Sequence, residues 1–441
     1  MRTARFHSHL AVLLSLFVGA AALSAQGVQS FTLRSALERA SEANFDLLLG
    51  EERVVAAEQA LRRARASFYP QVSAEASQGR SKNVSAFPSG DEGEVGLVGF
   101  TNNRFSAALR TRLTIFDVDT LANARIARFE TEIARLQLNQ TVEDIRAAVA
   151  DIYFTHLRNL RQADTIEAQI ARDRVLLDLA SKRAEAGTAT QLDVTRAEVR
   201  LANSELRLTQ QQAIIFESGI NLQQALNLNL AGTVELDPVA LDATAPVRFS
   251  MSTLEAVLVQ RPEVVAQRRL LERNEVALKA ARYQRVPSVE LSGDYGYAAA
   301  NFDDDLENVW SIQLGISMPL FEGFRIDANQ MEAASAVRAQ MVALDQIESQ
   351  IEAEYRLALS QVETAARSVS IARKQVELAE RELELARRRF SEGVANNSEV
   401  VDAQASLAEA EDGLVASEYR FNLARLALAR AEGDVFGLVR S

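Results

Sequence analysis

From Val362 to Phe390 the apolar residues fall alternately three and four apart: Val362, Ala365, Val369, Ala372, Val376, Ala379, Leu383, Ala386 and Phe390. This is a heptad seam, the spacing that keeps one stripe of a helix against a partner. A second stripe, Ile371, Leu378 and Leu385, lies beside it, so the helix has two lateral neighbours. The helical pattern reaches back to Phe321, giving roughly 70 residues and ~100 Å at ~1.5 Å per residue. No ordinary globular core needs a helix of that length, so the chain must build something elongated.

The same plan occurs twice. Residues 31–67 read as a first helix with Thr32 as N-cap, ended by Pro70. The period then falls to two: Val72, Ala74 and Ala76 alternate with Ser73, Glu75 and Ser77. Residues 79–103, rich in Gly, Ser, Asn and Asp, read as a loop. A second strand sets Phe105, Ala107, Leu109, Leu113 and Ile115 against Arg104, Ser106, Arg110, Arg112 and Thr114. A long helix from Asp117 reverses at Gly187, the residue that a left-handed helix end prefers, into a return helix of about 40 residues. After residues 230–252 the series starts again from Thr253 to Arg285, then Pro287. One strand carries Val289, Leu291, Tyr295 and Tyr297, and the next Trp310, Ile312, Leu314, Ile316 and Met318. The opening helix follows, with a reversal at Gly393 and a last helix. Phe116 matches Phe321, Gly187 matches Gly393, Arg183 matches Arg389, and Asp193-Val194 matches Glu399-Val400. Solenoid repeats have much shorter periods, so this is a duplication of one large unit.

The division is therefore 1–25, an export signal; 26–229, a first repeat with strands at about 69–78 and 104–116 and a helical hairpin at 117–229; 230–252, a linker; and 253–441, a second repeat with strands at about 287–298 and 308–321 and a hairpin at 322–437. Residues 1–25 combine Arg2 and Arg5, an apolar core from Leu10 to Leu23, and small residues suited to cleavage near Ser24 or Ala25. The chain has no Cys, so neither a disulfide nor a lipid-anchored Cys is possible. A net charge of −12 argues against a nucleic-acid partner. Past the signal no apolar run approaches the length of a transmembrane helix.

Each strand alternates apolar and polar residues over about 10 positions, the pattern of a strand between lipid and water. Trp310, Tyr295 and Tyr297 would supply an interfacial aromatic belt. Soluble hairpins in a sandwich are the competing reading; the exported, Cys-free chain with long helical hairpins favours a barrel. Four strands cannot close one, since the smallest bacterial barrels have about eight, and an open edge in lipid leaves backbone groups unpaired. Several copies must share a barrel, their number left open by these arguments.

This order, with Arg183-Ala-Glu-Ala-Gly187 leading to Asp193-Val194 and Arg389-Phe-Ser-Glu-Gly393 leading to Glu399-Val400-Val401-Asp402-Ala403, resembles the TolC-type outer-membrane efflux channels. Tyr69-Pro70, Val286-Pro287-Ser288 and Pro319-Leu320-Phe321 fit the same family. The resemblance covers about residues 30–437. It implies a homotrimer in which three chains form a 12-stranded outer-membrane β-barrel continued by a 12-helix periplasmic α-barrel. It also implies a periplasmic adaptor and an inner-membrane transporter as partners. The turns at Gly187, Thr188, Asp193, Gly393, Val394, Asn396 and Asn397 would be the periplasmic tips where the adaptor docks, and 79–103 and 299–307 would be extracellular loops. An acidic pair, Glu399 and Asp402, would line the narrow entrance as rings that favour cations. The competing reading is a pair of acids suited to a helix start. The family commonly closes this entrance through a basic residue just after the second Gly; Val394, Ala395 and Asn396 stand there instead. The gate is then expected to rest on Asp193, Asn396 and Asn397, and to leak more than a salt-bridged relative.

Other residues have plainer readings. Arg104, Arg110 and Arg112 would line the lumen or, preferably, pair with Glu75 or Glu290. Asp303-Asp304-Asp305 lacks the Gly and terminal Glu of a calcium loop and reads as a hydrated turn. His156, the one His past the signal, reads as a packed residue, and one His makes no metal site. There is no Cys nucleophile, His dyad, phosphate-cradling Gly loop or HExxH motif, so neither an enzyme nor a cofactor is expected. The function implied is passive export of small molecules through a tripartite efflux system. A protein-secretion duct is the runner-up, and a structural periplasmic coiled-coil protein is the rival of a different class.

Overall fold

The computed structural model describes residues 29–89, 94–236, 254–392, 394 and 397–439. The signal segment lies outside them. The chain starts with a short strand, β1 (Gln29–Phe31), and two helices, α1 (Leu33–Ala43) and α2 (Phe45–Ala66). Thr32 caps α1 by accepting from Ser35 N, and Asn44 caps α2 by accepting from Asp46 N, so the single helix expected over 31–67 is broken at Asn44. Then come β2 (Gln71–Ser89), β3 (Glu94–Phe116), the helix α3 (Val118–Glu185) and its return α4 (Gln191–Ala225). The second repeat holds α5 (Leu254–Gln260), α6 (Pro262–Arg282), β5 (Ser288–Ala299), β6 (Glu307–Ser317), α7 (Arg325–Ser391) and α8 (Asn397–Glu432). Here too one expected helix is two, because Pro262 starts a new one after Arg261. α7 begins later than Phe321, after a left-handed turn at Gly323 and Phe324.

Between the repeats, β4 (Val234–Leu236) runs parallel to β1, so the described part of the linker contains a regular element. Beside this strand pair lies an apolar cluster with Tyr153, Leu37, Leu222, Leu226 and Val435 at its centre, all fully buried. It ties the waist of both repeats together.

The four long strands form one antiparallel sheet in the order β2-β3-β5-β6. The expected loop over 79–103 is mostly strand, with only 90–93 outside the described residues. Around 79–84 and 99–102 the residues of both faces are exposed, which suits the Gly, Ser and Asn found there. Backbone pairing, which needs no apolar side chain, continues rung by rung from Gln71↔Arg112 to Ser89↔Glu94. At the other end β6 stops at Ser317, short of the expected 321. The helices leave the sheet at one end, and the pairing of β2 with β3 reaches Ser89↔Glu94 at the other.

In the helical part α3 packs on α4, α7 on α8, and α3 on α8. The order is therefore α4-α3-α8-α7. The seam of α7 is buried as its heptads require: Val362, Val369, Ala372, Ala379, Leu383, Ala386 and Phe390 are all inside. Among the described residues no helix is long and apolar enough to cross a membrane.

Candidate channel entrance and barrel wall

The first tip is built by helix-end chemistry. Gly187 has φ +71°, Gly187 N donates to Ala184 O at 3.1 Å, and Thr188 N donates to Arg183 O at 2.9 Å, closing the end of α3. Thr190 then caps α4. Its hydroxyl accepts from Asp193 N, and its own N–H and hydroxyl donate to the Asp193 carboxylate at 3.1 and 2.7 Å. These bonds, the hydroxyl's first, hold the Asp193 carboxyl below the usual carboxylate range. The carboxylate expected in the gate is thus engaged in a capping box.

At the second tip, Val394 N closes the end of α7 on Arg389 O at 3.0 Å, and the Val394 side chain is exposed. Gly393 and Asn396 lie outside the described residues, and Asn397 begins α8. Glu399 and Asp402 stand one turn apart on α8. They differ in company. Glu399 pairs with Arg389 in the last turn of α7 at 3.5 Å, whereas Asp402 is exposed with no ion-pair partner among the described residues.

What joins the two tips is a residue the sequence marked only as a repeat match. Arg183, in the last turn of α3, donates from Nη2 to Phe390 O at 2.8 Å and places its guanidinium 4.0 Å from the centre of the Phe390 ring. It meets α7 as a charge-assisted bond and a cation–π contact at once. The sequence signal was a cation in the last helical turn, where carbonyls lack partners. The partner, more than two hundred residues on, carried none.

Above the tips a polar layer ties α3 and α4 to α8. The Asp173 side chain is fully buried and accepts from Gln169 at 2.8 Å, Arg200 Nε at 3.1 Å and Ser204 Oγ at 2.7 Å. Arg200 also donates to Val401 O on α8 at 3.0 Å. Arg172 grips Glu411 through two nitrogens at 3.0 and 2.6 Å, and Arg207 meets Asp412 at 3.2 Å. Higher still, His156 Nδ1 lies 2.8 Å from Ser218 Oγ, and burial pushes the imidazole below its ordinary value.

The register sorts the sheet into two faces. Ala74, Leu109, Tyr295 and Trp310 share one cross-strand row, followed by Thr111, Gly293 and Ile312 and then by Leu113, Leu291 and Leu314. Trp310, Ile312, Leu314 and Ile316 are 60–73% exposed, an apolar wall with no cover. Tyr295, Tyr297 and Trp310 all stand on it. The opposite face is polar. Arg110 pairs with Glu75 and, at 3.4 Å, with Asp294; Arg112 pairs with Glu290 at 3.1 Å; Ser311 donates to Asp294 at 2.9 Å. Two of the three strand arginines are thus paired with acids of neighbouring strands. Asp304 accepts from Asn301 N at 2.8 Å, a closed turn, and no group of three acids or His that could hold a metal occurs among the described residues.

Comparison with known proteins follows this geometry. The family described as outer membrane efflux protein matches residues 36–228 and 253–434, one span in each repeat. The fusaric acid resistance protein FusA of Burkholderia cepacia is 29% identical over 225 residues, taking in 47% of this chain and 41% of that protein. The outer membrane efflux protein BepC of Brucella suis is 24% identical over 417 residues, 93% of this chain and 87% of that protein. The crystal structure of the outer membrane protein VceC from Vibrio cholerae shares the fold, with a TM-score of 0.76 at 22% identity over 91% of this chain and 96% of that one.

Proposed function

Because the chain belongs to the outer membrane efflux protein family, and is an outer-membrane channel with a large periplasmic portion, we propose that three copies close into one passive exit duct for small molecules. The observation that carries this is the pair of unmatched edges. The sheet ends in β2 on the first-repeat side and β6 on the second. The helices end in α4 and α7 on the same two sides. Both helical edges carry an exposed heptad stripe: Leu192, Val199 and Leu206 on α4, and Ile371, Leu378 and Leu385 on α7. Edges of one chain that differ from each other join head to tail, and such joining closes into a ring when the rotation allows. Three chains of four strands give 12, within the range of outer-membrane barrels.

In this reading the apolar wall faces lipid, with Trp310, Tyr295 and Tyr297 toward its edge, and the paired arginines face the lumen. Residues 1–25 direct export and are removed, 26–229 and 253–441 are the two repeats, and 230–252 joins them at the waist. The tips at Gly187, Thr188, Asp193, Gly393, Val394, Asn396 and Asn397 receive a periplasmic adaptor, which links the duct to an inner-membrane transporter. Asp402 and, less strongly, Glu399 form the narrow acidic entrance. No catalysis is assigned: the duct moves its cargo by gated diffusion, and the transporter supplies the energy.

The test is reconstitution of the mature protein in planar bilayers, with the mass of the inserted complex measured on the same sample. Discrete, cation-preferring conductance from a three-chain complex is expected. A folded monomer that never inserts would favour a structural coiled-coil protein instead.

A further inference from the structure

Past the rim of the sheet, the first-repeat hairpin continues alone. β3 pairs with β5 no further than Phe105↔Ala299, while β2 and β3 stay in register to Ser89↔Glu94. That projection is about 35 Å long at ~3.3 Å per residue. The alternation of faces continues along it. Val72, Ala74 and Ala76 on the apolar wall are followed on the same face by Gln78, Arg80 and Lys82, whereas Arg104, opposite Gly79, belongs to the lumenal face.

The height of these cations is fixed by the register. The apolar band of β6 runs from Ile316 to Trp310, and the next row outward holds Ala76, Ala107, Tyr297 and Asn308. Arg80 stands about 13 Å further along the strand than that row, and Lys82 about 7 Å beyond Arg80. Lys82 pairs with Thr101 and its side chain reaches diagonally to Gly99, where an added Cβ would come within 3.3 Å of Lys82 Cε, so the missing side chain leaves Lys82 its place on the outer face. Neither cation has an ion-pair partner among the described residues, in contrast to Arg110 and Arg112 on the lumenal face. In a chain of net charge −12, two outward cations without acids run against the general balance.

We propose that Arg80 and Lys82 bind the phosphate of a lipid headgroup in the exposed leaflet of the outer membrane, so that the assembled duct wears a collar of cations. This rests on the outer-membrane channel reading. An Arg fork and a Lys point charge about 7 Å apart suit phosphate oxygens. A lipid is the occupant, and not free phosphate, because the site is continuous with the lipid-facing wall directly below it.

The full chain would be reconstituted in vesicles containing either bis-phosphorylated lipid A or the same lipid without phosphate. Lipid retained after detergent exchange would be counted by native mass spectrometry. Retention of the phosphorylated form is expected to exceed that of the other on the order of tenfold, and R80S/K82S is expected to remove the preference. R104S, at the same height on the opposite face, should keep it. A wild-type protein with no preference, an equal loss in R104S, or displacement by millimolar inorganic phosphate would each overturn the proposal. Planar-bilayer conductance of the same preparations separates the two ideas. A wild-type preparation that conducts but shows no lipid preference sinks the collar alone, while preparations that never conduct sink the channel reading and the collar with it.

Discussion

At the first tip Arg183 reaches away from its own hairpin, bonding Phe390 O and covering the Phe390 ring on α7. At the second, the matching Arg389 turns back to Glu399 within its own hairpin. The interiors diverge in the same sense. In the alignment that pairs Gly187 with Gly393, the buried Asp173 of α3 corresponds to Ala379 of α7, and Arg172 to Leu378. The first repeat thus carries polar fasteners aimed at its twin, and the second carries an apolar seam and, in Asp402, the exposed acid of the proposed entrance. At these positions the two hairpins play different parts: one holds and the other is held.

The comparison breaks most sharply at Asp173. Asp173→Ala leaves Arg200 without its carboxylate in a nearly closed layer, a loss of about 3–5 kcal/mol for a broken buried pair. Thermal melting followed by circular dichroism in detergent should fall accordingly, with a smaller fall for Asp173→Asn. A melt unchanged by Asp173→Ala would mean that the polar layer fastens nothing.

Next is the tip itself. Removal of Arg183 loses one charge-assisted bond and one cation–π contact, together about 2 kcal/mol. Arg183→Ala should therefore raise the open fraction of single channels by roughly tenfold or more, at ~1.4 kcal/mol per factor of ten. Arg389→Ala removes a half-exposed pair worth about 0–1 kcal/mol and should change it little. Equal effects of the two would erase the distinction between the tips. The entrance without a basic residue after Gly393 is expected to leak, and Arg183 is expected to limit that leak.

The entrance acids sharpen the contrast within the second repeat. Asp402→Ala should lower cation-over-anion selectivity in reversal-potential measurements more than Glu399→Ala, because Arg389 already offsets Glu399. The reverse order would place the constriction at Glu399.

The smallest effect concerns His156. Burial lowers its pKa from 6.5, so the unfolded chain takes up the proton first. Stability is then full above about pH 6.5 and declines as the pH falls below it. A His156→Gln variant, measured by melting between pH 7.5 and 5.5, should show a flatter dependence.

What the residues disclosed in advance follows from what each pattern measures. A heptad seam reports burial directly, so Val362 to Phe390 could be read as the inner stripe of a long helix, and Ile371, Leu378 and Leu385 as a second contact face, from spacing alone. Alternation in β5 and β6 was legible because one face is apolar. The continuation of β2 and β3 over 79–84 and 99–102 was not, since a ladder exposed on both faces leaves no alternation of burial in the sequence. Helix breaks at Asn44 and Arg261 were missed because the apolar period runs across them, and capping chemistry decides them locally. Arg183 was visible as a helix-end cation, but its partner is a carbonyl and a ring brought near only by the packing of α3 on the second hairpin.

The two unlike edges have a genetic consequence. β2 and β6 are the edges of the sheet, and in the proposed ring each is half of a joint that another copy completes. In a ring of three every copy takes part in two joints, so one copy with a damaged edge spoils the whole assembly. A cell making sound and damaged chains in equal amounts would keep about one intact ring in eight, and such alleles would act as dominant negatives even though the sound copy is still made in full.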